Sequence, residues 1–411
     1  MVTKIATDVM LYMSAQNDLS GYADDNIEAI KTCANLDNMS VYIMLDTFVN
    51  GNVDDATTRR TFHYLLPPGA SACDFEPKPL PIDNKNVHSS AVFSRFLDLA
   101  EHHFSDHETL QKILVLWGHG GGMFMLDENQ KKGVDRAKAS IAEFSEALIR
   151  KANERFPLEF DILAFDSCYM CMIETMHELR NATKYALCSS TLVAADGYPY
   201  DKIFTELKTN GKNLVPETAA RRIAAIYNDH YKEIFADGNR VLFICDMKKI
   251  VPCVEALNAL GEKLSALMGA ANEDPVRSAI TQALIAAGVD SSYVYVLRFL
   301  KALALTLDGS VSPIELDKVR SLSNALSSAV RSAFLGDMGD TTDRPISPLI
   351  WAPFLLGSFE RYEAEYNGLS SSNNGRNGWV SMWRKFHRLE VVKDPNPENR
   401  DKIRIGLPAL S

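Results

Sequence analysis

The feature that most constrains this chain is an alternation. Over the first 250 or so residues, short apolar runs take turns with segments whose apolar residues recur at helical spacing. The runs VMLYMSA (9–15), VYIMLD (41–46), KILVLW (112–117), DILAFD (161–166), YALCSS (185–190) and RVLFICD (240–246) read as strands. Between them, DDNIEAIKTCANL (24–36), SSAVFSRFLDLAEHHF (89–104), ASIAEFSEALIRKAN (139–153), YMCMIETMHELR (169–180) and ETAARRIAAIYNDHY (217–231) read as helices. A polar, proline-containing stretch runs from Asn50 to about Asn86. Strands this apolar must be covered on both faces. The pattern therefore predicts an α/β fold, a mostly parallel sheet with helices on either side.

The pattern changes near Lys248. Four successive helices are predicted over 254–268, 275–287, 295–307 and 313–334, and a last one over 379–389. A tract with little period runs from Gly336 to about Pro353, and GLSSSNNGRNG (368–378) reads as a flexible loop. The expected division is thus an α/β domain over 1–250 and a mainly helical region over 251–411. Trp351, Trp379 and Trp383 are expected to be core of that second part.

The formal net charge of −10 argues against a nucleic-acid-binding surface. No uncharged apolar stretch of about 18 residues exists, so no membrane span is expected. Asp8 interrupts the N-terminal apolar run, which leaves no signal-peptide pattern and makes the cytoplasm the default. A secreted chain trimmed of its leader would read the same. Seven cysteines, an odd number and several inside strand-like runs, fit reduced thiols used as small apolar residues.

Two segments carry chemistry. LVLWGHGGGM (114–123) is a buried strand ending in a glycine-flanked His119, and ILAFDSCYMCM (162–172) is one ending in Asp-Ser-Cys168. In parallel sheets, ligands bind at the carboxyl ends of the strands, and both side chains fall there. Their separation of 168 − 119 = 49 residues fits one strand–loop–helix–strand unit. A cysteine hydrolase needs an ionisable thiol, a proton shuttle and donors for an oxyanion. Placing Cys168 at a helix start, near an imidazolium, would lower its pKa. The amides of Gly120 and Cys168 are the natural oxyanion donors, because glycine lets backbone approach a carbonyl. The other readings are weaker. HGGG at 119–122 also suits a serine esterase, but no G-x-S-x-G elbow is present. A phosphate-binding loop lacks its G-x-x-x-x-G-K-[ST] signature. Cys168-x-x-Cys171 has no second CxxC to complete a zinc site, and Cys171 is expected to pack inward.

MSAQNDL (13–19), WGHGGG (117–122), DSC (166–168) and RVLFICDMKKI (240–250), taken together, resemble the clostripain family (C11) of cysteine peptidases, in the caspase-like clan CD. The resemblance covers the first 250 residues best. It implies a caspase-like three-layer sandwich and an endopeptidase with a Cys168–His119 dyad that cleaves after Arg or Lys. It also implies an acidic specificity residue, for which Asp196 in AADGYPY (194–200) and Asp166 are the candidates. The plain readings of these two are a turn residue and a helix cap. Members self-cleave between histidine and cysteine, where Lys131, Lys132 and Arg136 lie. Some members require calcium. No EF-hand loop is present, so the residues themselves point to no cofactor or metal. The partners implied are polypeptides with a basic residue before the cleaved bond. The contrasting reading is a catalytically silent scaffold of the same fold, acting as an interaction protein.

Overall fold

The structure is a computed structural model. It describes residues 3–33, 35–48, 59–80, 90–122, 124–125, 139–153, 158–235, 240–269, 274–288, 293–336, 338, 346–352 and 378–387. The chain forms two compact units. One is Met1–Ile250 with Ala333–Met338, and the other is Val251–Ser332 with Gly339–Ser411. The return of 333–338 to the first unit is not foreshadowed by the change of character near 250.

The strands of the first unit are β1 (Thr3–Ala15), β2 (Met39–Phe48), β3 (Arg59–Leu66), β4 (Lys78–Pro79), β5 (His107–Trp117), β6 (Phe124–Met125), β7 (Ala139–Ser140), β8 (Phe160–Asp166), β9 (Thr183–Ser189), β10 (Leu242–Asp246) and the returning β12 (Phe334–Leu335). Between them run α1 (Ser20–Thr32), α2 (Ser90–His103), α3 (Ile141–Ala152), α4 (Ile173–Glu178), α5 (Tyr200–Asn210) and α6 (Pro216–Ile234). Nine strands make one sheet in the order β12-β10-β9-β8-β5-β1-β2-β3-β4, and β6 pairs with β7 apart from it. From β9 to β2 the neighbours are parallel, and both flanks are antiparallel.

Every residue of β2 and β8 is buried, as a sheet covered on both faces requires. On one face Val9, Leu11 and Met13 of β1 share a core with Ala23, Ile27 and Ile30 of α1, Phe204 of α5 and Tyr227 of α6. On the other, Tyr12 stands edge-on to Phe93 of α2 at 5.2 Å, and Phe93 lies 4.3 Å from Phe144 of α3. Three differences from the sequence reading stand out. The stretch after Asn50 contains β3 and the edge strand β4, whose mixed composition hides them among polar neighbours. Helix α5 is an addition. The helix expected over 169–180 is confined to Ile173–Glu178 followed by a short 3-10 turn.

The second unit contains α7 (Val251–Leu267), α8 (Pro275–Ala287), α9 (Val296–Thr306), α10 (Pro313–Ala333) and α11 (Gly378–Phe386), with β11 (Tyr293–Tyr295) pairing antiparallel to β13 (Leu349–Trp351). Its three tryptophans are buried. Trp379 donates Nε1–H to the Trp351 carbonyl at 2.8 Å and meets Trp383 edge-on at 5.8 Å. They pack a core.

Candidate active site

The site begins with register. In the parallel pair β5–β8, Trp117 lies opposite Asp166. His119 and Cys168 each stand two residues beyond that pair, so they leave neighbouring strands at the same carboxyl rim. Gly118 N–H donates to the Asp166 carbonyl at 3.2 Å, tying the two exits together. Gly120 then passes so close to the cysteine loop that a Cβ there would lie 2.6 Å from the Cys168 carbonyl and 2.8 Å from Ser167 Cβ. Only glycine fits that approach.

The cysteine loop is pinned on its other side too. Tyr169 N–H donates to Thr191 O at 3.0 Å and Cys171 N–H to Ser189 O at 2.9 Å, beyond and at the end of β9. Between them Tyr169 takes a left-handed φ of 58°, a costly conformation for a residue with a Cβ. Such strain next to a reactive group persists only when neighbours over-determine the turn. Thr175 of α4 holds the glycine loop in turn, donating Oγ1–H to the Gly122 carbonyl at 2.7 Å.

Cys168 and His119 each have other partners. Cys168 Sγ accepts from Val193 N–H at 3.3 Å and lies 3.8 Å from the Val193 carbonyl. His119 Nε2 lies 2.7 Å from Asp18 Oδ1, in the turn between β1 and α1. Among the described residues no hydrogen bond joins imidazole to thiol. Burial pushes the Cys168 thiol up, against smaller opposing effects from the Val193 amide and the Arg240 guanidinium. This corrects the helix-start argument. Because α4 begins only at Ile173, its short dipole does not face the sulfur. Cys171 is fully buried, and none of the seven cysteines is joined in a disulfide.

The acidic candidates separate sharply. Asp166 is buried. Its Oδ2 accepts from Tyr200 O–H at 2.7 Å and Tyr198 N–H at 2.9 Å, and burial raises its pKa to about 7 against the lowering effect of those donors. It is no cap of α4. Asp196 is exposed, in a turn closed by Gly197 N–H donating to Ala194 O at 2.9 Å. Gly197, with φ of 70°, brings its backbone against Asp166, since a Cβ would lie 2.8 Å from Oδ2. Asn26 of α1 ties the two neighbourhoods, accepting from Trp117 Nε1–H at 3.1 Å and donating to the Asp196 carbonyl at 2.9 Å. Lys131, Lys132 and Arg136 lie outside the described residues. Among the described residues no group of three or more His, Cys, Asp or Glu side chains is arranged to hold a metal, so no calcium site is assigned.

Sequence reasoning missed four contributors: Asp18, Asn26, Val193 and the Tyr198–Tyr200 pair. Asp18 had a usable signal. It lies in a polar turn at the carboxyl end of a strand that neighbours the histidine strand.

The sequence model of the Clostripain family (peptidase C11) matches residues 11–374. The chain belongs to the clostripain family. Clostripain from Hathewaya histolytica is 24% identical over 303 residues, which is 62% of this chain and 56% of that protein. The chain therefore matches little more than half the length of that relative. Two solved structures share the fold. One is an inactive zymogen C11 protease from Parabacteroides distasonis, with a TM-score of 0.59 at 16% identity over 94% of this chain and 99% of that one. The other is a secreted C11 cysteine protease from Bacteroides thetaiotaomicron in complex with an irreversible peptide inhibitor, with a TM-score of 0.58 at 13% identity over 92% and 99%. The architecture is the caspase-like α/β sandwich expected of the family. No helix among the described residues is long and apolar enough to cross a membrane.

Proposed function

We propose that this chain is a cysteine endopeptidase that cleaves after Arg or Lys, with Cys168 as nucleophile and His119 as proton carrier. The Trp117–Asp166 pairing carries the reading, since it brings both strand exits to one rim. In the reaction, the Cys168 thiol gives its proton to His119 and sulfur attacks the peptide carbonyl carbon. The amides of Gly120 and Cys168 receive the oxyanion. His119 then protonates the leaving amine as the C–N bond breaks, leaving a thioester on Cys168. Water, deprotonated by His119, attacks the thioester carbonyl, and the thiolate that leaves recovers its proton. The raised thiol pKa fits a pair that ionises as substrate brings sulfur and imidazole together, rather than a resting thiolate.

The preference for a basic residue is supported by Asp166. A carboxyl held out of water, with only the Tyr200 hydroxyl and the Tyr198 amide as its hydrogen-bond donors among the described residues, gains most from a guanidinium or ammonium, which can pair with it by charge-assisted hydrogen bonds. Asp196 would add charge at the mouth. Self-processing at Lys131, Lys132 or Arg136 is part of the same proposal.

The test is incubation of wild type and Cys168→Ala with Arg-, Lys- and Leu-terminated fluorogenic peptides, followed by a denaturing gel. Release from the Arg and Lys peptides by wild type alone is expected, with any self-cleavage visible as two fragments. Equal turnover of the Leu peptide would remove the specificity reading. No turnover by folded, unprocessed or trypsin-nicked wild type would favour the silent scaffold.

A further inference from the structure

We infer that Asp18 is a positioning residue for His119, so that the working unit is Asp18–His119–Cys168. This rests on the peptidase reading above. The observation is the 2.7 Å contact between His119 Nε2 and Asp18 Oδ1, which joins the turn after β1 to the histidine loop after β5. The two strands are parallel neighbours with Met13 opposite Trp117, so both turns open at the rim that carries Cys168.

The turn is built to hold that carboxylate. Asn17, itself buried, accepts from Leu19 N–H through Oδ1 at 3.0 Å and donates Nδ2–H to the Ser14 carbonyl at 3.3 Å. Its own carbonyl accepts from Ser20 N–H at 3.2 Å, and the Ser20 hydroxyl meets the Thr47 hydroxyl of β2 at 3.1 Å. Asp18 is thus fixed between two residues anchored to the sheet.

The chemical consequence concerns which ring nitrogen works. A neutral imidazole carries one proton, and an ionised carboxylate can only accept. With Nε2–H directed at Asp18, the lone pair is left on Nδ1, which is the nitrogen that takes the thiol proton. Once His119 is an imidazolium, the same carboxylate stabilises its charge while Nδ1–H faces the leaving amine. The contact contributes little to folding, because the His119 side chain is 37% and the Asp18 side chain 77% exposed. Its effect grows when bound substrate excludes water from the rim.

The experiment combines kinetics with a measurement that needs no turnover. Asp18→Ala should lower kcat on an Arg peptide by about 30- to 100-fold, at or just below the low end of what a general acid–base group itself supplies, with KM and the melting temperature nearly unchanged. Asp18→Asn, which keeps an acceptor for Nε2–H but not the charge, should fall between Ala and wild type. Asp18→Glu should recover part of the loss. In His119→Ala, removing Asp18 should have no further effect. In parallel, 15N NMR of histidine-labelled protein, with His119 assigned by a His119→Gln variant, should show neutral His119 as the Nε2–H tautomer in wild type and a mixture in Asp18→Ala. Wild-type kcat in Asp18→Ala, a loss confined to KM, or a neutral His119 found as Nδ1–H would each overturn the inference. An inactive wild type would sink the peptidase reading instead, and the tautomer would still decide the role of Asp18.

Discussion

Glycine brings backbone into close approach at several places in this molecule, and two of them differ in what the approach does. At the carboxyl rim Gly120 lets the histidine loop touch the Cys168 carbonyl. In the second unit Gly378 of α11 lets that helix pack on α7, where a Cβ would lie 2.2 Å from the Asn258 carbonyl. Gly261 of α7 matches it, since a Cβ there would lie 2.6 Å from the backbone of Trp379. The rim contact joins two loops that leave neighbouring strands, and the helix contact joins two regular elements through their backbones. A loop can yield by tenths of an ångström and keep the fold, whereas two packed helices have to separate along their length. On the proposed function, the same residue type should therefore protect reactivity in one place and stability in the other.

Adding one methyl group to each place tests that contrast. Gly120→Ala should cost most where it acts, lowering kcat by about 100-fold or more, because displacement of reacting groups by an ångström carries roughly that penalty. Its melting temperature should fall only slightly. Gly378→Ala should leave kcat per folded molecule unchanged and lower unfolding free energy by about 1–3 kcal/mol, the usual cost of overpacking, read as a urea midpoint. A large stability loss in the first variant with activity retained would reverse the assignment.

The sheet and most of its helices were legible because apolar runs and helical periods carry them. So was the placing of His119 and Cys168 just past strand ends, since those ends are written in that same alternation; that β5 and β8 are sheet neighbours was not. The strands β3 and β4 at one margin of the sheet were not legible, because incomplete burial leaves residues such as Arg60 and Lys78 in the strand sequence. The short α4 was overread. The helical composition runs from Tyr169, but only the six residues Ile173–Glu178 form α4, and nothing local announces that Tyr169 turns left-handed to keep Cys168 outside the helix. Asp18 and Asn26 reach the site through contacts 101 and 91 residues long, so even the polar turn that marks Asp18 does not say which side chain it meets.

Asp166 offers a smaller effect with a definite sign. Its folded pKa of about 7 lies above the ordinary 3.8, so the folded state binds its proton more readily than the unfolded chain. Its contribution to stability is fully retained below about pH 4 and is lost as pH rises toward 7. Asp166→Asn keeps an oxygen to accept from Tyr200 and Tyr198 and removes the charge. The variant should match wild type near pH 4 and exceed it at pH 8 by roughly 2 kcal/mol. Asp8, raised to about 6 by burial beside His107, has the same sign but is common to both proteins and cancels. Denaturant midpoints at the two pH values decide it, and a variant less stable at pH 8 would show that the carboxylate is already compensated.

Asp196 should give the smallest effect of all, although the sequence presents it as the stronger specificity candidate. A buried carboxylate that loses its cationic partner forfeits several kcal/mol, and on that basis Asp196→Ala would cost 2–5 kcal/mol of discrimination, as an order of magnitude. The exposed turn removes the basis, because a charge pair in water is worth about 0–1 kcal/mol. The ratio of kcat/KM for Arg over Leu peptides should therefore fall no more than about fivefold, and the fall should shrink as salt is raised. A loss of a hundredfold or more, insensitive to salt, would mean that bound substrate buries Asp196. The division of labour between the two acids would then be the reverse of the one their burial implies.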